Sequence, residues 1–387
     1  MLTTPSLSLY IHFPWCVRKC PYCDFNSHAL KEDLPEKNYI ETLINDLEQD
    51  LLLVNQAKRT IRSIFLGGGT PSLFSATALA FLFEELKKRL QFADDIEITL
   101  EANPGTVEYQ RFADYRAIGI NRLSIGIQSF QQEKLKALGR IHNSQEAIKA
   151  AETAHQTGFT NFNLDLMHGL PGQTLQEAID DIAIAMDLAP THISWYQLTL
   201  EPNTLFHKFP PALPDEELIW DMQDKCKELL AQRGYQQYEI SAYSQPQRSC
   251  CHNVNYWKFG DYLGIGAGAH SKITNVNQQT ITRSWKHKNP KDYLIANNSF
   301  IAETKIIAPS ELPFEFMLNA LRLHQPISVK LFEERTGLAL SDIAINLQQA
   351  KQKELLDWNE HTITPTELGK RFYNDLVALF MPEDSPL

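Results

Sequence analysis

The stretch Leu7-Ser8-Leu9-Tyr10-Ile11-His12-Phe13-Pro14-Trp15-Cys16-Val17-Arg18-Lys19-Cys20-Pro21-Tyr22-Cys23 decides how the rest of the chain is read. Its first half is an apolar run that predicts a strand over residues 8–12. Its second half spaces cysteines as Cys-x-x-x-Cys-x-x-Cys, so that three thiols share one short loop directly after the strand. An iron–sulfur cluster is normally completed by four thiolates. A cubane on Cys16, Cys20 and Cys23 therefore keeps one iron open, and an open metal position is the mark of a catalytic rather than a structural site. Zinc is the competing reading; it wants a fourth Cys or His at a matching distance, and His28 is the nearest candidate. A disulfide is set aside because nothing marks the chain as secreted.

Downstream of this loop, short β-rich runs alternate with longer helical patterns. Strands are predicted over residues 8–12, 63–66, 97–101, 122–126, 161–167 and 192–197. Helices are predicted over 39–54, 76–90, 107–117, 133–138 with 145–157, and 175–187. Six strand–helix units in a row imply an α/β fold with a parallel sheet and right-handed crossovers. Six are too few for the eight of a full barrel, so the expectation is a partial, open (β/α)6 barrel with its site at the carboxyl ends of the strands. Residues 205–304 read as a less regular covering segment, with a helix at 215–232 and aromatic, Gly-rich short strands at 235–272 over the barrel mouth. From 305 to 387 the pattern changes to helices at 311–323, 329–336 and 341–353, a hairpin at 355–359 and 362–364, and a last helix at 366–379. That is a winged-helix-like α+β domain. Two units are thus expected, 1–304 and 305–387.

A chain of 387 residues has room for both. Its 43% hydrophobic and 21% charged residues are ordinary for a soluble protein. The net charge of −11 argues against general nucleic-acid binding, which needs a basic footprint. In the winged-helix-like unit acids again outnumber bases, so the phosphate-binding term is missing there too. Residues 1–6 are too short and lack the basic start of a signal peptide, and no apolar run reaches membrane-spanning length. With six cysteines, three of them in one loop, the expected compartment is the reducing cytoplasm.

The chemistry-bearing motifs fall at predicted strand ends. Gly67-Gly68-Gly69-Thr70-Pro71-Ser72 follows the second strand; consecutive glycines let the backbone approach a ligand and expose N–H groups, or simply make a tight turn. No Gly-Lys-Ser/Thr follows, so this is not a P-loop. Glu101-Ala102-Asn103-Pro104-Gly105 ends the third strand; its carboxylate suits a ribose diol, while Asn103 could equally cap a helix. Gln128 closes the fourth strand, Arg140 lies in Leu138-Gly139-Arg140-Ile141-His142, and Asp165 sits inside the fifth. A buried Asp needs a partner, and Arg140 is the expected one. Farther on come Cys250-Cys251 and His252-Asn253-Val254-Asn255-Tyr256-Trp257, then Gly264-Ile265-Gly266-Ala267-Gly268-Ala269-His270. Taken by itself, His252 reads as a structural histidine beside two aromatics. Adjacent cysteines are poorly placed to bond each other, and Cys226 falls in a helical pattern as a core residue.

In this order the motifs resemble one branch of the radical S-adenosylmethionine (SAM) family, the oxygen-independent coproporphyrinogen III oxidases and the HemW-type haem chaperones. The resemblance spans nearly the whole chain. It implies a [4Fe–4S] cluster on Cys16, Cys20 and Cys23, with the amine and carboxylate of SAM on the open iron and an electron from the cluster cleaving SAM to a deoxyadenosyl radical. It further implies that Tyr10, Gly68, Gly69, Thr70, Glu101, Gln128, Arg140 and Asp165 contact SAM. The oxidases usually carry one more cysteine two residues after the third, where this chain has Phe25, and a longer segment before the first strand. Both departures point to the chaperones, whose loop also runs Cys-Asp-Phe-Asn-Ser. His252 begins a stretch that looks like the His-Asn-x-x-Tyr-Trp motif proposed for haem binding in that group. The implied function is a haem chaperone that passes haem to respiratory or storage haem proteins, without a membrane anchor or nucleic-acid partner; a homodimer is admitted. No residue is implied as catalytic, and SAM cleavage is left open. The alternative is the oxidase itself, decarboxylating coproporphyrinogen III; a third reading, a winged-helix regulator with a redox cluster, is weak on charge.

Overall fold

The computed structural model describes residues 1–54, 59–105, 108–296 and 298–382. The predicted start of the third helix at 107 and the last five residues of the C-terminal unit lie outside them.

All six predicted strands form. They are β1 (Leu7–Phe13), β2 (Thr60–Gly68), β3 (Gln91–Ala102), β4 (Arg122–Gln128), β5 (Phe162–His168) and β6 (His192–Gln197). They pair in chain order and in parallel. Parallel strands with helices on the outside are buried on both faces, which is why their sequences run apolar without alternation; six of the seven residues of β1 are buried. The intervening helices start where side chains satisfy free N–H groups. Ser75 accepts from the Ala78 N–H at 3.2 Å, while Asn143 with Glu146 and Thr174 with Glu177 form reciprocal capping boxes.

The covering segment does more than cover. Its strands β7 (Gln236–Glu239), β8 (Ala242–Ser244), β9 (Asp261–Ile265), β10 (His270–Asn275), β11 (Thr280–Lys286) and β12 (Ile301–Ile306) extend the sheet at both edges. The order is β12-β11-β10-β9-β1-β2-β3-β4-β5-β6-β8-β7. β9 lies parallel to β1, with Leu7 opposite Asp261; the outer strands are antiparallel. The expectation of short strands over the mouth is corrected accordingly: residues 235–272 complete the sheet, and Tyr256, Tyr262, Gly268 and His270 reach the cleft beside the main cavity.

A buried ion cluster locks this extension to the first helix, Glu36–Val54. Lys286 on β11 contacts both Asp46 and Asp50 of that helix, and Asp46 also accepts from the Gly266 N–H at 3.0 Å and the Tyr293 hydroxyl at 2.6 Å. The C-terminal unit has the expected helices, Leu312–Ala320, Val329–Thr336 and Ala344–Gln352, and the hairpin Leu356–Trp358 with Thr362–Pro365. A further strand, Ile327–Ser328, joins the hairpin, and the predicted last helix is two short ones broken at Phe372. Its apolar core takes in Leu2, Phe259 and Ile281 from the larger unit.

Lys286→Met leaves two buried carboxylates without their cation. Breaking such a cluster from one side costs about 3–5 kcal/mol, so the midpoint of chemical denaturation falls sharply; an unchanged midpoint contradicts the assigned role.

Candidate functional site

The three cysteines, the Gly-rich stretch, the strand residues Glu101, Gln128 and Asp165 and the loop residue Arg140 meet around one cavity of about 360 Å³. Cys16, Cys20, Cys23, Gly68, Gly69, Thr70, Glu101, Gln128, Arg140 and Asp165 all line it. That volume lies in the range of small-molecule sites, about 300–1,000 Å³.

The thiols are half-buried, and burial pushes those of Cys16 and Cys23 up. Iron displaces thiol protons and removes that cost. Among the described residues no three His, Cys, Asp or Glu side chains converge as the ligands of a single metal ion. His28 does not turn to the thiols; its Nε2 lies 3.3 Å from Asn26 Oδ1, and the short pairing of Trp15 with His28 fixes it there. Arg140 leans over the loop, its guanidinium 3.7 Å from Cys20 Sγ.

Arg140 and Asp165 do not pair, contrary to expectation. Arg140 donates to Asn103 Oδ1 at 2.5 Å and to the Gly126 carbonyl at 2.8 Å. Asp165, fourth in β5, accepts from Ser124 Oγ at 2.9 Å and Asn163 Nδ2 at 2.8 Å. The cation acting on it is Arg122, fully buried at the start of β4 and 3.9 Å from Glu97. Arg122 escaped sequence reasoning, although a charged residue opening an apolar strand was a signal. Asn103, read only as a helix cap, also donates to Thr70 Oγ1 at 2.9 Å and so joins the Gly-rich stretch to Arg140.

The Gly-rich stretch is close-packed rather than open. Gly68 donates to Glu101 Oε2 at 3.0 Å, Gly69 to the Phe13 carbonyl at 2.7 Å and Thr70 to the Trp15 carbonyl at 2.8 Å. The expected free N–H groups are therefore already engaged, and what the stretch can offer a ligand is carbonyl and hydroxyl oxygen. Oxygen acceptors suit an ammonium, which only donates. Gly68 must be glycine: its φ is 110°, and a Cβ would stand 2.4 Å from the His12 ring. Gln128 also holds a left-handed conformation, φ 69°, at a bulge between β4 and β5. Bulges and such strain gather where a side chain must be re-aimed into a site.

Glu101 is the most perturbed acid in the cavity. Burial, with Asp165 adding to it, pushes its carboxyl up to about 8. Two carboxylic groups with raised affinity for protons make a pocket that favours a cation or hydroxyl donors.

Tyr10 stands apart from the main cavity. It lines an adjoining cleft of about 310 Å³, which shares Phe25, Gly68 and Glu101 with the first. Its hydroxyl lies 3.0 Å from His12 Nδ1, and His12 Nε2 lies 2.9 Å from the Asn26 carbonyl. A carbonyl can only accept, so Nε2 carries the proton and Tyr10 donates to Nδ1. Burial pushes His12 down to about 4, which keeps it neutral. His252 lines neither space. It is 2% exposed, its Nδ1 is 3.1 Å from Ser63 Oγ, its ring stacks on Phe65 at 5.0 Å, and its Nε2 has no hydrogen-bond partner among the described residues. Cys250 is buried against Glu97 at 3.5 Å, Cys251 is exposed, and both are free thiols; Cys226 is core, as expected.

The pattern described as the radical SAM superfamily matches residues 10–184, and the HemN C-terminal domain matches residues 307–372. "Heme chaperone HemW" of Haemophilus influenzae is 52% identical over 382 residues, covering 98% of this chain and 99% of the relative. The chain belongs to the HemW family of radical SAM proteins. The protein of the same name from Escherichia coli is 49% identical, covering 99% of this chain and all of its own length. In fold, the family's scaffold extends to the solved coproporphyrinogen III oxidase HemN of Escherichia coli. That structure superimposes with a TM-score of 0.83 at 23% identity, covering 97% of this chain and 90% of the oxidase.

Because Glu101 holds its proton more tightly folded than unfolded, where the value is about 4.3, its contribution to stability is present at low pH and is lost as pH rises toward about 8. Glu101→Gln keeps an acceptor for Gly68 and removes that loss. Its melting temperature relative to wild type should therefore climb by a few degrees between pH 5 and 8 and level off above. Thermal unfolding of the cluster-free protein across this range reads the difference; a pH-independent offset contradicts the assignment.

Proposed function

We propose that this chain is a cytoplasmic haem chaperone that carries a [4Fe–4S] cluster on Cys16, Cys20 and Cys23 and binds SAM in the adjoining cavity. The observation that carries the reading is near-full-length identity, 52%, to a protein named a heme chaperone, in a chain whose cluster loop has Phe25 where oxidases have a further cysteine. Phe25 is 59% exposed and lies on both cavities, so the position offers an apolar ring and no sulfur. No helix among the described residues is long and apolar enough to cross a membrane, which is consistent with delivery to acceptors from solution.

The residues around the cavity fit both groups. When bound, the cluster would supply an electron at its open iron. The protein supplies the rest. Arg140 offsets thiolate charge beside Cys20, and Thr70 and the Gly-rich carbonyls receive an ammonium. Glu101 and Asp165 balance the positive charge of a sulfonium, and Glu101 gives up its proton as they do so. Gln128 is aimed inward by its bulge. The acceptors are respiratory or storage haem proteins.

Reconstituted protein should bind a single haem per chain, seen as a Soret shift, while converting no coproporphyrinogen III under anaerobic, reducing conditions. Product formation at a useful rate would replace the chaperone with the oxidase.

A further inference from the structure

The geometry points to the Tyr10 cleft as the haem site, with the His270 imidazole, rather than that of His252, as the iron ligand. This rests on the chaperone reading and deepens it. An axial ligand must offer an unprotonated ring nitrogen to the open side of a cleft. His252 does not: it is 2% exposed beneath the aromatic floor and held by Ser63. Its contacts describe a support instead. It sits on the helix Cys251–Trp257, edge-on to Tyr256 at 4.7 Å, and Tyr256 in turn meets Tyr262 edge-on at 4.4 Å. These two tyrosines and Phe25 line the cleft and offer aromatic surface to a macrocycle.

His270 is exposed at the start of β10 and lines the same cleft. Its ring packs only its edge against Trp285, at 5.8 Å and 76°, and neither ring nitrogen has a hydrogen bond among the described residues. Burial and the nearby Lys288, Arg283 and His12 push its pKa down to about 4, so the ring is a free base at neutral pH. Lys288, exposed and close enough to act on His270, is the cation for a haem propionate. Arg283 is held by Glu315 and is less available.

The turn that presents His270 is fastened to the cluster loop. Asn26 Nδ2 donates to the carbonyls of Ala267 and Lys288, both at 2.9 Å, and Gly268, at φ 81°, has no room for a Cβ beside Asn26. One segment, Phe25-Asn26, therefore walls the haem cleft and the cluster cavity together.

The test is a haem titration of the reconstituted full chain, read by absorption and resonance Raman spectra. Wild type should carry an imidazole–iron signature. His270→Ala should lose it, bind haem at least tenfold more weakly, and regain the signature on adding free imidazole. His252→Ala should keep it, even if the loosened floor weakens binding. An unchanged spectrum in His270→Ala, or its loss in His252→Ala alone, overturns this assignment while leaving the chaperone reading intact. Failure of the wild type to bind haem overturns both.

Discussion

A parallel sheet covered by helices has no solvated face. Its strands must be apolar nearly throughout, and polar side chains can emerge in number only where the strands end. That constraint places everything of chemical interest here. The cysteine loop leaves β1, the glycines leave β2, and Glu101 and Gln128 stand at the ends of β3 and β4. Asp165 is the exception, in mid-strand, and the protein answers it with two hydrogen bonds and the buried charge of Arg122. The cavity that results has thiols on one rim and proton-hungry carboxyls on the other. Such a pocket suits a ligand that is itself a cation and can also reach a metal.

The sheet's second half explains why the scaffold has two adjoining spaces. Extending β1 with β9 to β12 adds a wall that a plain six-stranded half-barrel lacks, and the Lys286–Asp46–Asp50 cluster holds that wall to the first helix. Between the wall and the cluster loop lies the Tyr10 cleft, which shares Phe25, Gly68 and Glu101 with the main cavity. A hydrogen-bonded line runs from Tyr10 through His12 to Asn26, and from Asn26 to Ala267, joining the walls of the two spaces.

Much of this was legible in the sequence because the signals were local. Continuous apolar runs marked the six parallel strands, and cysteine spacing marked the loop. What escaped was non-local. Nothing in residues 261–306 says that they pair beside β1 and not over it, because that register is set by contacts about 250 residues apart in the chain. Arg140 and Asp165 were opposite charges without a geometry; the fold gives Arg140 to Asn103 and Cys20 and gives Asp165 to Ser124 and Asn163. His252 read either as a haem ligand or as a structural histidine, and only the fold shows its ring packed onto Phe65. Tyr10 lines the neighbouring cleft together with residues from about 250 positions later in the chain, a juxtaposition no local pattern shows.

The central proposal is that Cys16, Cys20 and Cys23 would hold a [4Fe–4S] cluster beside the cavity lined by Glu101, Gln128, Arg140 and Asp165, where SAM would reach it. Electron paramagnetic resonance of the anaerobically reconstituted, reduced protein tests it most directly. The account predicts the signal of a single reduced [4Fe–4S] cluster whose g-values shift when SAM is added, with the shift lost in Asp165→Asn. A cluster signal indifferent to SAM, or stoichiometric zinc in place of iron and sulfide, would contradict it.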